Sequence, residues 1–273
     1  MGRLEKLLIA LVIGLVVFVG RAIVKQPRRS SPAVIPSLTE DSAPVTMSEA
    51  QAAVPAPAPA RAAPKNDLNN SARSSMEPPP MRDLADIKSR LAAGQAGTYI
   101  GDMLAIQDSV ILRWPERRIN AIRVWVSTPR NLTDWNDGFA DMARSVFNEW
   151  GAAGSPLRFE FVVDSASSDI QVKWLPLFNS SRIGSATRLV DQHSWIVGAE
   201  IDVAIHDSSS RPFNPVELTG IVRHEVGHAL GLGHSQDRRT LMFPEETMYD
   251  ISPTDLATLR LIYTLPPGPT NKP

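Results

Sequence analysis

The chain has 273 residues, 28 Lys and Arg against 29 Asp and Glu, a formal net charge of -1 and no cysteine. That length allows one or two domains, and the balanced charge offers no electrostatic footprint for a nucleic-acid partner. Without thiols there are no disulfides, thiolate ligands or cysteine nucleophiles, so any metal must be held by imidazole or carboxylate.

The N-terminus reads MGRLEKLLIALVIGLVVFVGRAIVKQPRR, and residues 7–24 are apolar except for Gly14, Gly20 and Arg21. At 1.5 Å per residue this run is about 27 Å long, close to the hydrocarbon core of a bilayer, with Arg21 able to snorkel. Residues 1–26 are therefore expected to be a transmembrane anchor, or alternatively a signal segment. No small-x-small cleavage site follows cleanly, which favours the anchor. Residues 27–80 hold 11 of the 23 prolines and read as an extended Pro/Ala/Ser-rich tether, because such a tract cannot bury enough apolar surface to offset its ordering entropy.

Residues 81–113 open with MRDLADIKSRLAAG, where Leu84, Ile87 and Leu91 have helical spacing and Gly94 ends the pattern. They are expected to form a segment ahead of the main domain. The compact part should run over residues 114–268, with 269–273 as a tail. INAIRVWVS alternates as a strand with Ile122, Val124 and Val126 on one face. TDWNDGFADMARSVFNEWG sets Trp135, Phe139, Met142, Val146 and Trp150 at helical spacing, with Gly151 as its stop. LRFEFVVD and DIQVKW read as strands, and SWIVGAEIDVAIHD as a hairpin or two strands around Gly198.

NPVELTGIVRHEVGHALGLG starts as a helix should: Asn214 can cap, Pro215 suits the first turn and Glu217 completes a capping box. Gly231 can leave the helix in a left-handed conformation. On that helix His224 and His228 are four residues apart and project from one face, so both can bind one ion, and His234 can return beyond the Gly231 turn as a third ligand. Three imidazoles leave the fourth position of a zinc ion open to water, and Glu225 beside His224 lies where a general base could take the water's proton. A lone helical histidine is ordinarily packed or solvated. The full pattern HExxHxxGxxH, however, arises by chance in such a chain on the order of once in 10⁵ sequences.

Residues 224–234, HEVGHALGLGH, resemble the extended zinc signature of the metzincin metallopeptidases, and Ser235 follows the third histidine as in the matrixin branch. LMFP resembles that branch's Met-turn, which would set Met242 beneath the metal as an apolar floor. FNEWGAAGSPLRFEFVVDSASSDIQVKW and ISPTDLATLRLIYTL also resemble matrixin segments, so the similarity covers residues 114–265. It implies an α+β fold: a twisted, mostly parallel sheet with two long helices, the second bearing the metal, and a small C-terminal part closing the cleft.

The resemblance further implies a zinc-dependent endopeptidase acting on peptides or proteins, with one catalytic zinc on His224, His228 and His234 and Glu225 as general base. A peptide would lie as an added strand along residues 193–199, past Trp195 and Val197, with selectivity from residues 243–252, including Phe243 and Tyr249. For the family's second, structural zinc only His193, His206, Asp191, Asp202 and Asp207 are available, without the family's spacing, and bound calcium stays open. The family's prosegment cysteine is absent, so inhibition by residues 81–113 would need another ligand, such as a carboxylate. Of the family's paired aspartates in the last helix only Asp255 is matched, Thr254 standing in the other place. Two rival readings remain: a membrane-tethered zinc protein that binds peptides or a partner without cutting, and a zinc hydrolase of non-peptide substrates.

Arg21, Lys25, Arg28 and Arg29 outnumber Arg3 and Lys6, which by the positive-inside rule would keep the C-terminal side in the cytoplasm. The long tether and the hazard of a cytoplasmic peptidase argue for export instead. The expected location is a membrane anchor with an extracytoplasmic catalytic domain, the alternative being secretion after signal cleavage.

Overall fold

Alternating apolar residues build the sheet that supports the site. In β2 (Arg117–Val126) Ile122, Val124 and Val126 are buried on one face, as are Ile170, Val172 and Trp174 in β4 (Ile170–Leu175) and Ala199, Ile201 and Val203 in β6 (Ile196–Ala204). The five-stranded order is β3-β2-β4-β6-β5, with β3 spanning Leu157–Phe161 and β5 Gly184–Val190. All neighbouring pairs are parallel except β5 with β6. This computed structural model describes residues 81–152, 154–245 and 248–271, all within one compact unit.

Two 15-residue helices, α3 (Gly138–Ala152) and α4 (Pro215–Ala229), pack on the sheet and on each other. Ala143, Val146, Phe147 and Trp150 of α3 meet Leu218, Ile221, Val222 and Val226 of α4 in one core cluster. The indoles packed on α4 are satisfied by its backbone: Trp150 Nε1 of α3 donates to Arg223 O at 3.1 Å, and Trp114 Nε1, from the segment before β2, to Ala229 O at 2.9 Å. α3 begins after Trp135 and runs one residue past Gly151, because an interior glycine costs only about 1 kcal/mol against a packed face. The hairpin expected around Gly198 is instead one continuous strand, β6, in which Gly198 sits opposite Leu189 of β5.

Residues 81–113, expected as a segment ahead of the main domain, pack on its core. They form α1 (Leu84–Gly94), α2 (Ile100–Ile106) and β1 (Val110–Ile111), and Ile87, Tyr99, Ile100, Met103 and Ile111 lie in the same core as the sheet. β1 pairs antiparallel with β7 (Gly268–Pro269), and Thr270 N donates to Ser109 O, so the expected tail begins inside the fold. α1 packs on α5 (Pro253–Thr264). An amphipathic helix must bury its apolar stripe, and α1 does so against the C-terminal helix, with Ile87 in the core.

The expected N-terminal anchor and the tether of residues 27–80 lie outside the described residues. Among the described residues no helix is long and apolar enough to cross a membrane.

Candidate metal centre

α4 starts where local chemistry says it should. Asn214 Oδ1 accepts from Val216 N and Glu217 N at 2.9 and 3.0 Å, and the Glu217 carboxylate accepts from Asn214 N at 2.9 Å. This capping box satisfies otherwise orphaned N–H groups, with Pro215 in the first turn. His224, Glu225 and His228 follow from it at fixed helical angles.

The helix ends at Gly231, whose φ of +109° favours glycine and where a Cβ would lie 2.4 Å from Leu112 O. The chain reverses there and returns His234. The metal-binding nitrogens of His224, His228 and His234 lie within 4.8 Å of one another, and the Nε2 atoms of His228 and His234 are 3.1 Å apart. Among the described residues this is the one group of three potential ligands that converges.

Ring orientation is set from behind. His224 Nδ1 lies 2.8 Å from Leu241 O and His228 Nδ1 2.9 Å from Leu232 O. A carbonyl can only accept, so each Nδ1 carries the proton and each Nε2 turns a lone pair to the centre. Burial lowers all three histidine pKa values: His224 to about 4, His228 well below the ordinary imidazole value, His234 more modestly. Neutral rings with inward lone pairs fit a zinc ion, which binds deprotonated nitrogen.

A second relay holds the floor. Buried Asp255, 0 % exposed, accepts from Leu241 N at 3.0 Å, Met242 N at 3.4 Å, Ser252 N at 2.8 Å and Ser252 Oγ at 2.6 Å. It thereby fixes the peptide whose carbonyl orients His224. Met242 is fully buried beneath α4, and a Cβ on Gly227 would come within 2.6 Å of its sulfur. Ser235 N closes the turn on Met242 O at 2.9 Å.

The three histidines and Glu225 line a cleft of about 600 Å³ whose opposite wall is residues 181–186 at the start of β5, with Pro244 and Glu245 at its mouth. Glu225 is 7 % exposed, and β5 passes so close that a Cβ on Gly184 would lie 2.3 Å from Glu225 Oε1. The arrangement offers three neutral donors, one carboxylate and a strand edge along one opening.

The sequence profile of matrixin matches residues 126–264, half of the chain. The chain belongs to the matrixin family. This matrixin is 31 % identical over 86 residues to a probable matrix metalloproteinase, 095L, of Invertebrate iridescent virus 3, covering 28 % of this chain and 24 % of the relative. It is 28 % identical over 131 residues to matrix metalloproteinase-21 of Cynops pyrrhogaster, covering 44 % and 21 %, and 29 % identical over 87 residues to metalloendoproteinase 2-MMP of Arabidopsis thaliana, covering 29 % and 22 %. The matched regions span about a quarter or less of these relatives' lengths.

Other expected site residues of this matrixin lie elsewhere. The edge expected to take a peptide is largely engaged: residues 196–199 pair with β5, while on the other side Ile196 N donates to Arg113 O at 2.8 Å and Ala199 pairs with Ile170 of β4. Trp195 and Val197 are 0 % and 4 % exposed, and the Arg113 guanidinium stacks on Trp195 at 4.6 Å. Phe243 is covered by Arg238 at 4.8 Å, and Tyr249 packs on Gly220 of α4, where a Cβ would lie 2.3 Å from its ring; neither lines the cleft.

The residues available for a second zinc do not converge. His206 lies between Pro176 O at 3.0 Å and Asp134 Oδ2 at 2.8 Å, Asp207 pairs with Arg211, and Asp191 accepts from His193 N and Trp195 N. Asp202 sits on β6 opposite Lys173 and Ser185, its carboxyl pKa raised by burial. Sequence reasoning missed Gly184, Ser185 and Ala186 on the cleft wall, whose only trace is the weak strand GSATRLV.

Proposed function

We propose that this chain is a zinc-dependent endopeptidase. The observation that carries the reading is the convergence of three neutral imidazoles on a cleft that also holds Glu225 and runs along the β5 edge. His224, His228 and His234 would hold the metal. Bound there, zinc supplies a Lewis acid that acidifies water and polarises a carbonyl.

The residues of the chain do the rest. Among the described residues β5 has a neighbour on one side only, so its free edge can bind an extended peptide by main-chain hydrogen bonds and hold one carbonyl over the triad. Glu225 accepts the attacking water's proton and delivers it to the departing amine as the C–N bond breaks. Residues 181–186 and Glu245 wall the cleft in which that transfer takes place.

The apolar run at residues 7–24 supports anchoring to a membrane, and the long Pro/Ala/Ser tract after it supports a catalytic domain outside the cytoplasm, against the charge bias of the flanks. Peptide-library digestion by the zinc-loaded protein tests the activity: new amino termini that disappear in Glu225→Gln are expected. Bound zinc without any cleavage would leave a peptide-binding role instead.

A further inference from the structure

We propose that residues 84–111 are a permanent brace for the third metal ligand, with Asp102 and Gln107 as positioning residues, and not a removable inhibitor. The inference rests on the zinc reading of the triad. His224 and His228 are placed by their own helix, but His234 stands beyond Gly231 on a turn with no regular structure to fix it. Ser235 N, donating to Met242 O at 2.9 Å, ties the turn from nearby, and the rest of its support comes from more than a hundred residues upstream.

Three contacts converge on that turn. A Cβ on Gly231 would lie 2.4 Å from Leu112 O, so the chain reversal is pressed against the residue following β1. A Cβ on Gly233 would meet Met103 Cγ and Gln107 Nε2, each at 2.7 Å, so the residue before His234 lies flush on α2 and its following turn. Two residues after His234, Gln236 N donates to Asp102 Oδ2 at 3.1 Å. The ligand is thus clamped on both sides by α2.

The brace is itself anchored to the body of the domain. Met103, Ile100 and Ile87 are buried in the main core, Tyr99 N donates to Thr258 Oγ1 of α5 at 3.2 Å, and Arg90 Nη1 donates to Thr264 O at 3.2 Å. Described residues of this segment stay out of the metal cleft, which is walled by β5, α4 and residues 244–245. A segment that lies behind a ligand and contributes core side chains supports the site and leaves its opening clear.

The test measures zinc retention by the full chain against a chromophoric chelator, which reads the ligand set without requiring cleavage. Asp102→Ala should weaken zinc binding about 5–10-fold, the loss of one charge-assisted hydrogen bond, while Asp102→Asn, whose amide oxygen still accepts from Gln236 N, should stay within about 2-fold of wild type. Gly233→Ala should weaken it by at least about 10-fold, and adding Gln107→Ala should restore part of that loss by making room. Wild-type zinc affinity in both Asp102→Ala and Gly233→Ala overturns the brace, as does an Asp102→Asn that loses as much as Asp102→Ala.

A cleavage site for a specific protease built at exposed Gly97, where nothing lies within 4 Å of a Cβ position, tests the second half. The nicked protein should keep both pieces together on gel filtration with peptide cleavage within about 2-fold of intact protein. Release of the N-terminal piece with a rise in activity overturns it. Wild-type protein that binds zinc but cuts nothing would sink the endopeptidase reading alone, because the zinc affinities of the variants are read independently.

Discussion

The metal centre has two halves built on different principles. His224, Glu225 and His228 sit on α4, where a capping box, a proline and helical periodicity set their directions within fifteen residues. His234 and the floor beneath it depend on remote groups: Asp255 on the Leu241 and Met242 amides, Leu112 against Gly231, and Asp102 on Gln236 N. The first half takes its backbone from a local structure, and only the His224 ring borrows remote support, from Leu241 O. The second exists only once the domain has closed around it, so it should respond to mutation through metal retention where the first responds through chemistry or helix stability.

The largest effect should come from the helix half. Glu225→Gln keeps shape and removes the base, so peptide cleavage should fall about 10²–10⁴-fold with zinc content unchanged, measured by metal analysis beside a peptide assay. Loss of zinc in that variant would mean that Glu225 has a structural part in the site. On the turn half, Asp255→Ala strands several amides that now share one buried carboxylate, and about 3 kcal/mol of stability to urea should go with it. Its zinc affinity should also drop, because the Leu241 carbonyl no longer holds the His224 ring. An Asp255→Ala protein of normal zinc affinity would break the proposed link from Asp255 through Leu241 to His224.

What could be read from the sequence follows the same division. The Asn214 cap, the helix bearing two ligands, Gly231 and the strands β2 and β4 announce themselves because their signals are local in the chain. β5 does not. Its helix-facing positions are Gly184, Ala186 and Arg188, paired with Val203, Ile201 and Ala199, so the strand shows no apolar stripe. The structure explains why: at Gly184 the space a side chain would need is taken by Glu225. The helix α1 was legible through Leu84, Ile87 and Leu91, but its docking on α5 is a long-range contact that periodicity alone does not encode. Residues 193–199 read as the peptide edge for the same reason, since strand order, which leaves β5 outermost among the described strands, is a property of the closed sheet.

Acid should separate the halves further. An unfolded chain protonates imidazole near pH 6.5, whereas burial keeps His224 neutral down to about 4 and His228 lower than its ordinary value. As pH falls below 6.5 the unfolded state therefore binds protons that the metal-free fold does not, and stability is lost. By pH 5, His224 alone should contribute about 2 kcal/mol of that loss, read from urea midpoints at pH 7.5, 6 and 5. Half-buried His234 is shifted less, so His234→Ala should keep most of the pH dependence and His228→Ala should remove a large share of it. Equal effects of the two substitutions would contradict the difference in burial between helix and turn.

The smallest effect is the most discriminating. Asn214→Ala removes the acceptor for Val216 N and Glu217 N ten residues before His224, and a lost N-cap costs about 1 kcal/mol. Arg211 and Glu217 remain paired on the surface and recover little of it, since exposed ion pairs are weak. If α4 is a rigid local unit, that loss should appear entirely in the urea midpoint, with zinc affinity and cleavage rate within about 2-fold of wild type. Fraying confined to the first turn cannot reach His224, because Leu218, Ile221 and Val222 are fully buried between the cap and the ligands. A drop in zinc affinity comparable to that of Asp102→Ala would show instead that the α4 backbone carrying the ligands is not a rigid local unit, and the two halves would differ in degree only.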